Sequence, residues 1–128
     1  MSVTAQGSTA IGVTAQSIDE AAERLAGVVI ESPLQFNKRL SDATGAQVWL
    51  KREDLQPVRS YKLRGAYNLI SQLGADERAA GVVCASAGNH GQGVAFACAK
   101  LGIEAKVVVP STTPRQKRQR MRQLGEGW

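Results

Sequence analysis

Two short segments of the chain carry the residues that could do chemistry. Residues 60–66 read Ser-Tyr-Lys-Leu-Arg-Gly-Ala and include Lys62, and residues 86–93 read Ser-Ala-Gly-Asn-His-Gly-Gln-Gly. A lysine amine bonds covalently to carbonyl compounds once it has lost its proton, which desolvation promotes. Glycines such as those of the second segment let the backbone approach a ligand closely. The two segments together indicate a reactive lysine beside a glycine-rich binding loop.

Each segment, taken by its spacing alone, also has a purely structural interpretation. Lys62 could be a solvated surface lysine, and the glycine-rich loop could be a tight turn from a strand into a helix. The loop reads G-x-x-G-x-G, whereas dinucleotide-binding loops read G-x-G-x-x-G and are followed by an acidic residue at a set distance, which this chain lacks. The spacing therefore disfavours a dinucleotide site and leaves the other interpretations open.

Strands and helices are predicted to alternate along the chain, because apolar residues recur at helical spacing in some stretches and in short runs in others. Strands are predicted over 47–51, 82–86 and 104–109, and helices over 17–29, 37–44, 61–73, 76–80, 94–101 and from Pro114 onward. This alternation implies an α/β fold with three layers, a parallel sheet flanked by helices. Both segments follow a strand and open a helix, so we expect them to share a ligand at one sheet edge, where helix N-termini favour a phosphate or carboxylate.

The N-terminal residues 1–16 are rich in Ser, Thr, Ala and Gly and are predicted to form a flexible tail, with the folded unit over 17–128. Ser17 is expected to cap the first helix, in a capping box with Glu20. The segment has no signal-peptide pattern, and no apolar run of the chain is long enough to span a membrane, so no membrane partner is expected. Pro33 is interpreted as an extended turn.

Cys84 and Cys98 belong to no CxxC pair, and the chain has a single histidine. These counts argue against a metal site and favour reduced thiols in the core of a cytoplasmic protein.

The net charge of +5 comes entirely from residues 115–122, which hold five cationic side chains and no acidic one. Such a segment could bind nucleic-acid phosphates. It has no interleaved aromatic residues, and only Met121 and Leu124 are available to pack inward. We therefore predict a solvated helix face and no nucleic-acid partner.

The two segments resemble those of the threonine and serine dehydratases, enzymes that depend on pyridoxal phosphate (PLP). Residues 53–66 (EDLQPVRSYKLRGA) are similar to the cofactor-lysine segment of this family, and residues 86–95 (SAGNHGQGVA) to its asparagine loop. Residues 107–117 (VVVPSTTPRQK) resemble the segment that follows. The resemblance covers about residues 18–124 and implies an incomplete PLP-dependent fold type II domain.

The resemblance implies a role for each residue that matches a functional position of the family motifs. Lys62 would hold PLP covalently and later move the substrate α-proton, Asn89 would hydrogen-bond the phenolic oxygen of the cofactor, and Tyr61 would pack beside its ring. The residues implied for the substrate carboxylate are Ser86, Gly88, Asn89 and His90.

Departures from neighbouring families narrow the implied reaction. In cysteine and threonine synthases the segment at the cofactor lysine resembles Lys-Asp-Arg, whereas this chain has Lys62-Leu63-Arg64. Serine racemases have a serine at the position of Ala87. Elimination is therefore favoured over racemisation, and residues 56–58 favour the threonine enzyme. The implied activity is deamination of L-threonine to 2-oxobutanoate and ammonia, a step toward isoleucine, with L-serine as a second substrate and a homo-oligomeric full-length enzyme.

Three alternatives remain beside this reaction: a serine dehydratase or racemase type of PLP enzyme, a non-catalytic remnant, and a basic fragment that binds nucleic acid. The family's second half of the PLP domain, with its phosphate loop, and any regulatory domain are not found in these 128 residues. We therefore expect the chain alone to be catalytically weak or inactive.

Overall fold

The structure, a computed structural model, describes residues 12–125. Six α-helices, four short strands and one 3-10 turn (Glu53–Leu55) form within that range. In chain order the helices and strands are α1 Ala15–Leu25, β1 Leu34–Phe36, α2 Lys38–Thr44, β2 Trp49–Lys51, α3 Lys62–Ile70, α4 Ala75–Ala80, β3 Val82–Ala85, α5 Asn89–Leu101, β4 Ala105–Val108 and α6 Arg115–Leu124. The predicted α/β class is confirmed.

The strands form two separate pairs. β3 and β4 are parallel, with Val82 opposite Ala105, and α5 connects them. β1 and β2 are antiparallel, with Leu34 opposite Lys51. The expectation that β2 lies in one sheet with β3 and β4 is therefore wrong for the described residues. The partner of β2 is β1, which follows Pro33 and is too short, at three residues, to show a strand pattern in the sequence.

The first helix begins earlier than predicted. Thr14, not Ser17, is the N-cap: its side-chain oxygen accepts a hydrogen bond from the Ser17 backbone N–H at 3.1 Å. The Ser17 hydroxyl oxygen in turn accepts from the Thr14 N–H at 3.0 Å, so Ser17 takes the place in the capping box that was assigned to Glu20. The helix ends at Leu25 rather than near Val29. The predicted tail overlaps this helix at residues 15 and 16, and residues 1–11 lie outside the described range.

Two buried clusters hold the helices together. In one, α3 packs against α5 through Ala66, Ile70, Val94, Ala97 and Cys98. The other joins Val58, Leu63 and Phe96 near the beginning of α3. Residues 91–98 of α5 are all buried, because this helix is in contact with α3, α6 and both parallel strands. The core of the described chain therefore lies around α5.

The predicted solvated face of the basic helix is confirmed. The five cationic side chains of α6 are exposed, whereas Met121 is buried and Leu124 is half-buried. One of the five, Arg120, donates a hydrogen bond to the Pro57 carbonyl oxygen at 3.3 Å.

Both cysteines are free thiols, with Cys98 buried and Cys84 half-buried. Burial, with a smaller contribution from Cys84, raises the pKa of the Cys98 thiol to about 11, and burial also raises the pKa of Cys84. Both thiols are therefore protonated at neutral pH and weak nucleophiles.

None of the helices between residues 12 and 125 combines the length and the apolar character needed to cross a membrane.

Candidate functional site

Lys62 is the first residue of α3, and its side chain is exposed. Its amine lies 5.2 Å from the centre of the Tyr61 ring, a cation–π distance. The Lys62 backbone N–H donates a long hydrogen bond, 3.4 Å, to the hydroxyl oxygen of the buried Ser60. The predicted neighbours Tyr61 and Lys62 are thus adjacent in space, and the amine is open to a ligand.

The loop before Lys62 is fixed by two fully buried side chains. Gln56 clamps the backbone of Ile30: its side-chain oxygen accepts from the Ile30 N–H at 2.9 Å, and its NH₂ donates to the Ile30 carbonyl at 2.7 Å. Val58 packs beside Leu63 in the core. Between Val58 and the reactive segment the backbone turns at Arg59, whose φ of 57° lies in the left-handed region. The direction of the chain into α3 is therefore set before Lys62 is reached.

A half-buried ion pair holds the first turn of α3. Arg64 donates to both carboxylate oxygens of Glu53, each at 2.8 Å, and the Ser32 hydroxyl donates to the same carboxylate at 2.5 Å. The hydrogen bond from Arg64 is the main reason why the pKa of Glu53 falls to about 2. Bidentate pairing fixes geometry as well as charge. The pair therefore ties α3, two residues after Lys62, to the 3-10 turn.

The second segment is shaped by Ser86, which follows β3. Its hydroxyl oxygen accepts hydrogen bonds from the backbone N–H groups of Gly88 (3.3 Å) and Gly91 (3.1 Å). A Cβ atom at Gly91 would lie 2.6 Å from the Ser86 carbonyl oxygen, so only glycine fits there. Ser86 was predicted to contact a carboxylate directly; in the structure its oxygen accepts from the backbone at the beginning of α5, and its own proton remains free to donate.

The N-terminus of α5 provides donors for an anion. The first N–H groups of a helix have no acceptor within the helix, and Ser86 accepts only from Gly88 and Gly91. The N–H groups of Asn89 and His90 are left at the end of a 13-residue helix, whose dipole attracts negative charge. Both side chains are exposed.

The two segments meet through Gly93. A Cβ atom at this position would lie 3.0 Å from both the carbonyl carbon and the carbonyl oxygen of Lys62. Asn89 is four residues earlier on α5 and so lies one turn along the same stripe, toward the exposed N-terminus. The structure thus brings Lys62 and the asparagine loop together by helix packing and not by the shared sheet edge that was predicted.

A groove of about 400 Å³ lies between α3 and β3. Residues of both segments are in its wall, which includes Tyr61, Lys62, Leu69, Val83, His90 and Val94. A second cavity, of about 420 Å³, lies between β4, α5 and α6 and has no predicted site residue in its wall. Ser86, Gly88 and Asn89 lie outside the wall of either cavity.

Comparison with protein families decides what kind of protein this is. A family model described as pyridoxal-phosphate dependent enzyme matches residues 25–127. The chain belongs to the pyridoxal-phosphate dependent enzyme family.

Relatives within the family are close in sequence. The chain is 63% identical over 113 residues to the biosynthetic L-threonine dehydratase IlvA of Mycobacterium leprae, a match that covers 88% of this chain and 26% of that protein. It is 52% identical over 116 residues to the enzyme of the same name from Bacillus subtilis, covering 91% of this chain and 28% of that protein. The resemblance to threonine dehydratases is confirmed, and the chain spans about a quarter of the length of these relatives.

Solved structures of PLP enzymes share the fold. Processed threonine deaminase isoform 2 from Solanum lycopersicum is 45% identical, with a TM-score of 0.75 over 91% of this chain and 33% of that chain. Serine racemase from Dictyostelium discoideum is 34% identical, with a TM-score of 0.82 over 88% of this chain and 37% of that chain. The prediction that the chain forms part of a PLP-dependent fold type II domain is confirmed.

The described residues fit the cofactor of this family. PLP requires a primary amine for its aldehyde and hydrogen-bond donors for its anionic groups, and the structure places Lys62 and His90, at the beginning of α5, in the wall of the same groove. The absence of a side chain at Gly93 lets the two approach each other.

Three positioning features were not foreseen from the sequence. They are the ion pair of Glu53 with Arg64, the clamp of Gln56 on Ile30, and the contact of Gly93 with Lys62. The ion pair could have been suspected, because the sequence has an acidic residue before Lys62 and a basic residue after it. Nothing in the sequence indicated that these two residues would pair. The other two join positions 26 and 31 residues apart and leave no local pattern.

Proposed function

We propose that this chain is part of a threonine dehydratase, in which L-threonine is deaminated to 2-oxobutanoate and ammonia. The observation that carries the proposal is the close packing of the Lys62 backbone against Gly93 of α5, one turn along the helix from Asn89. The relatives from M. leprae and B. subtilis, both named threonine dehydratases, support the choice of substrate.

Lys62 holds the cofactor and moves the proton in this proposal. PLP, when bound, supplies the electron sink for the charge left on the substrate α-carbon. The Lys62 amine would hold the cofactor through its aldehyde and, once the substrate is bound, would accept the substrate α-proton. Its exposure at the first position of α3 leaves the side chain free to move between these tasks. The Asn89 side-chain amide would donate a hydrogen bond to the phenolic oxygen of the cofactor, and Tyr61 would pack beside its ring.

The carboxylate of the substrate binds at the beginning of α5. The donors proposed for it are the Ser86 hydroxyl, the loop N–H groups from Gly88 onward, and the side chains of Asn89 and His90. A carboxylate at this helix N-terminus would be stabilised by the dipole and by the N–H groups of Asn89 and His90. The Gly88 N–H already donates to the Ser86 hydroxyl oxygen at 3.3 Å and would be shared with the carboxylate. The α-carbon is thereby held next to the Lys62 amine.

The fate of the substrate after proton removal depends on which groups lie on the face of the substrate opposite Lys62. Racemisation needs a second group that returns a proton there, and Ala87, between Ser86 and Gly88, has no such group. Loss of the β-hydroxyl as water is therefore the proposed outcome, followed by hydrolysis to the oxo acid and ammonia.

A serine racemase type of enzyme is the second candidate, because the TM-score of 0.82 to the Dictyostelium enzyme is high. Formation of D-serine from L-serine would favour this candidate, whereas formation of only pyruvate would favour elimination.

The setting of the enzyme is also part of the proposal. We place the reaction in isoleucine biosynthesis, in the cytoplasm, with a homo-oligomeric enzyme, and with residues 17–128 as the first part of the PLP-binding domain. The two free thiols support a reducing compartment. L-serine is proposed as a second substrate.

The function is tested by a chimera in which this chain replaces the matching segment of the M. leprae threonine dehydratase. The chimera should form 2-oxobutanoate from L-threonine, and Lys62→Ala should abolish this activity. Lys100→Ala is the matched control, because it removes an exposed lysine of α5 that is not assigned to the site. This variant should leave the activity unchanged. A Lys62→Ala chimera with normal turnover would refute the proposal.

A further inference from the structure

The contact between α3 and α5 at Gly93 involves backbone atoms on the α3 side. A Cβ at Gly93 would lie 3.0 Å from the Lys62 carbonyl carbon and oxygen and 3.2 Å from the Leu63 nitrogen. A side chain could rotate out of the way of a new methyl group, but these atoms belong to the first turn of a helix and cannot. The absence of a side chain at Gly93 therefore sets how closely the two helices approach at this end.

The helix α5 cannot retreat from α3 to make room. Gly91, two residues before Gly93 and about 200° around the helix, faces the opposite way. A Cβ at Gly91 would lie 2.6 Å from the Ser86 carbonyl oxygen and 3.1 Å from the Val107 side chain, so α5 is already close-packed on that side. Any extra volume at position 93 must therefore displace α3, and Lys62 with it.

We infer that Gly93 is a positioning residue for the PLP site, which acts by fixing the distance between the Lys62 amine and the first turn of α5. The inference rests on the proposed function, in which Lys62 and Asn89 hold one cofactor. Asn89, Gly93 and Ala97 share a stripe of α5 at intervals of four residues. The contact at Gly93 thus lies one turn from Asn89 and directly against the Lys62 backbone. It therefore sets the distance between Lys62 and the first turn of α5.

The expected displacement is small but sufficient. Ordinary contact of a methyl group begins at 3.4 Å, so Gly93→Ala must move the Lys62 backbone by a few tenths of an ångström. A misplacement of about 1 Å costs on the order of 100-fold in a positioned reaction, so roughly a tenfold loss is expected at Lys62.

The experiment uses the 128-residue chain incubated with PLP and reduced with borohydride, with the adduct at each lysine measured by peptide mass spectrometry. The readout is the yield at Lys62 relative to Lys100 and Lys106 in the same molecule. Gly93→Ala should lower this ratio about tenfold. Ala97→Val, the matched control, adds bulk to the same stripe one turn farther from the site and should destabilise the fold while keeping the ratio.

A second readout does not need the cofactor. Backbone amide shifts of the folded chain should change at Lys62 and Leu63 in Gly93→Ala, but not in Ala97→Val. If Gly93→Ala fails to fold, the double variant Gly93→Ala with Ala97→Gly removes a methyl group from the same stripe, so that α3 can tilt and the test can be repeated.

The outcomes separate the two proposals. A wild-type chain without preference for Lys62 contradicts the proposed function, and the amide shifts then decide about Gly93. A wild-type preference that Gly93→Ala leaves intact, with unchanged shifts at Lys62 and Leu63, overturns the role of Gly93 and leaves the proposed function standing.

Discussion

Replacing Glu53 by glutamine tests how firmly the first turn of α3 is held. The Glu53 side chain is 15% exposed and pairs with Arg64, which is 32% exposed. Pairing lowers the pKa of Glu53 from its ordinary 4.5 to about 2. At about 1.4 kcal/mol per pKa unit this shift corresponds to roughly 3 kcal/mol, and partial solvent screening of Arg64 reduces it to about 2 kcal/mol.

The sign of the pH dependence follows from the direction of the shift. A carboxylate with a lowered pKa in the folded state stabilises the fold fully above its unfolded pKa, here near 4.5. The contribution is lost as the pH falls from there toward 2. The stability of the wild type should therefore fall as the pH decreases from about 4.5 toward 2. The stability of Glu53→Gln should fall less over the same pH range.

The assay is thermal unfolding followed by circular dichroism at pH 7 and at steps down to pH 3. At pH 7, Glu53→Gln should lower Tm by on the order of 10 °C, the shift expected for about 2 kcal/mol in a domain of this size. Asp42→Asn breaks the exposed pair with Lys38, whose side chains are 79% and 63% exposed, and should leave Tm nearly unchanged. Equal Tm losses in the two variants, or the same dependence of Tm on pH in Glu53→Gln and wild type, would show that the ion pair of Glu53 with Arg64 does not stabilise the fold.

Three further predictions concern the segments around the site. Gln56→Leu leaves the Ile30 backbone groups without partners and should lower the free energy of unfolding by about 2 kcal/mol in urea titrations; a neutral result would contradict the clamp. Arg59→Gly should keep or raise Tm because φ is 57° there, whereas Arg59→Val should lower it by several degrees; equal Tm values would argue against the left-handed turn. Ser86→Ala removes the acceptor for Gly88 and Gly91 and should cost about 1 kcal/mol of unfolding free energy, whereas Ser86→Thr should retain most of it.

Local signals predicted much of the fold. The helix predicted over 37–44 is α2, which lies between its N-cap Asn37 and the left-handed Gly45, and the predicted end at residue 101 is where the left-handed Gly102 ends α5. The parallel strands β3 and β4 were predicted from their apolar runs. Such features depend on a few neighbouring residues and can therefore be recognised in one sequence.

Pairing between distant segments could not be predicted in the same way. β1 has only three residues, and its pairing with β2 across α2 leaves no pattern in the sequence. The cap at Thr14 was missed because Ser17 and Glu20 offer the same spacing as Thr14 and Ser17. Which of these two possible capping boxes forms depends on the local backbone hydrogen bonds, which the sequence does not show.

The candidate site shows the same division. The sequence placed Lys62 at the beginning of a helix, and the structure confirms this position. The asparagine loop was predicted to lead into a helix over 94–101, whereas α5 begins five residues earlier, at Asn89. What brings the helices together is the close approach at Gly93, a contact between residues 31 positions apart. The roles of Tyr61, Ser86, Gly88, Asn89 and His90 toward a ligand remain predictions that follow from family resemblance and from their positions around α5.

The central claim is that Lys62 is the residue that holds PLP beside the first turn of α5. It is tested most directly by the absorption spectrum of the chain with PLP, followed by borohydride reduction and peptide mapping. We expect a visible band from the lysine–cofactor bond, a reduced adduct on Lys62, and loss of both in Lys62→Ala. An adduct found mainly on another lysine, or a band that persists in Lys62→Ala, would contradict it.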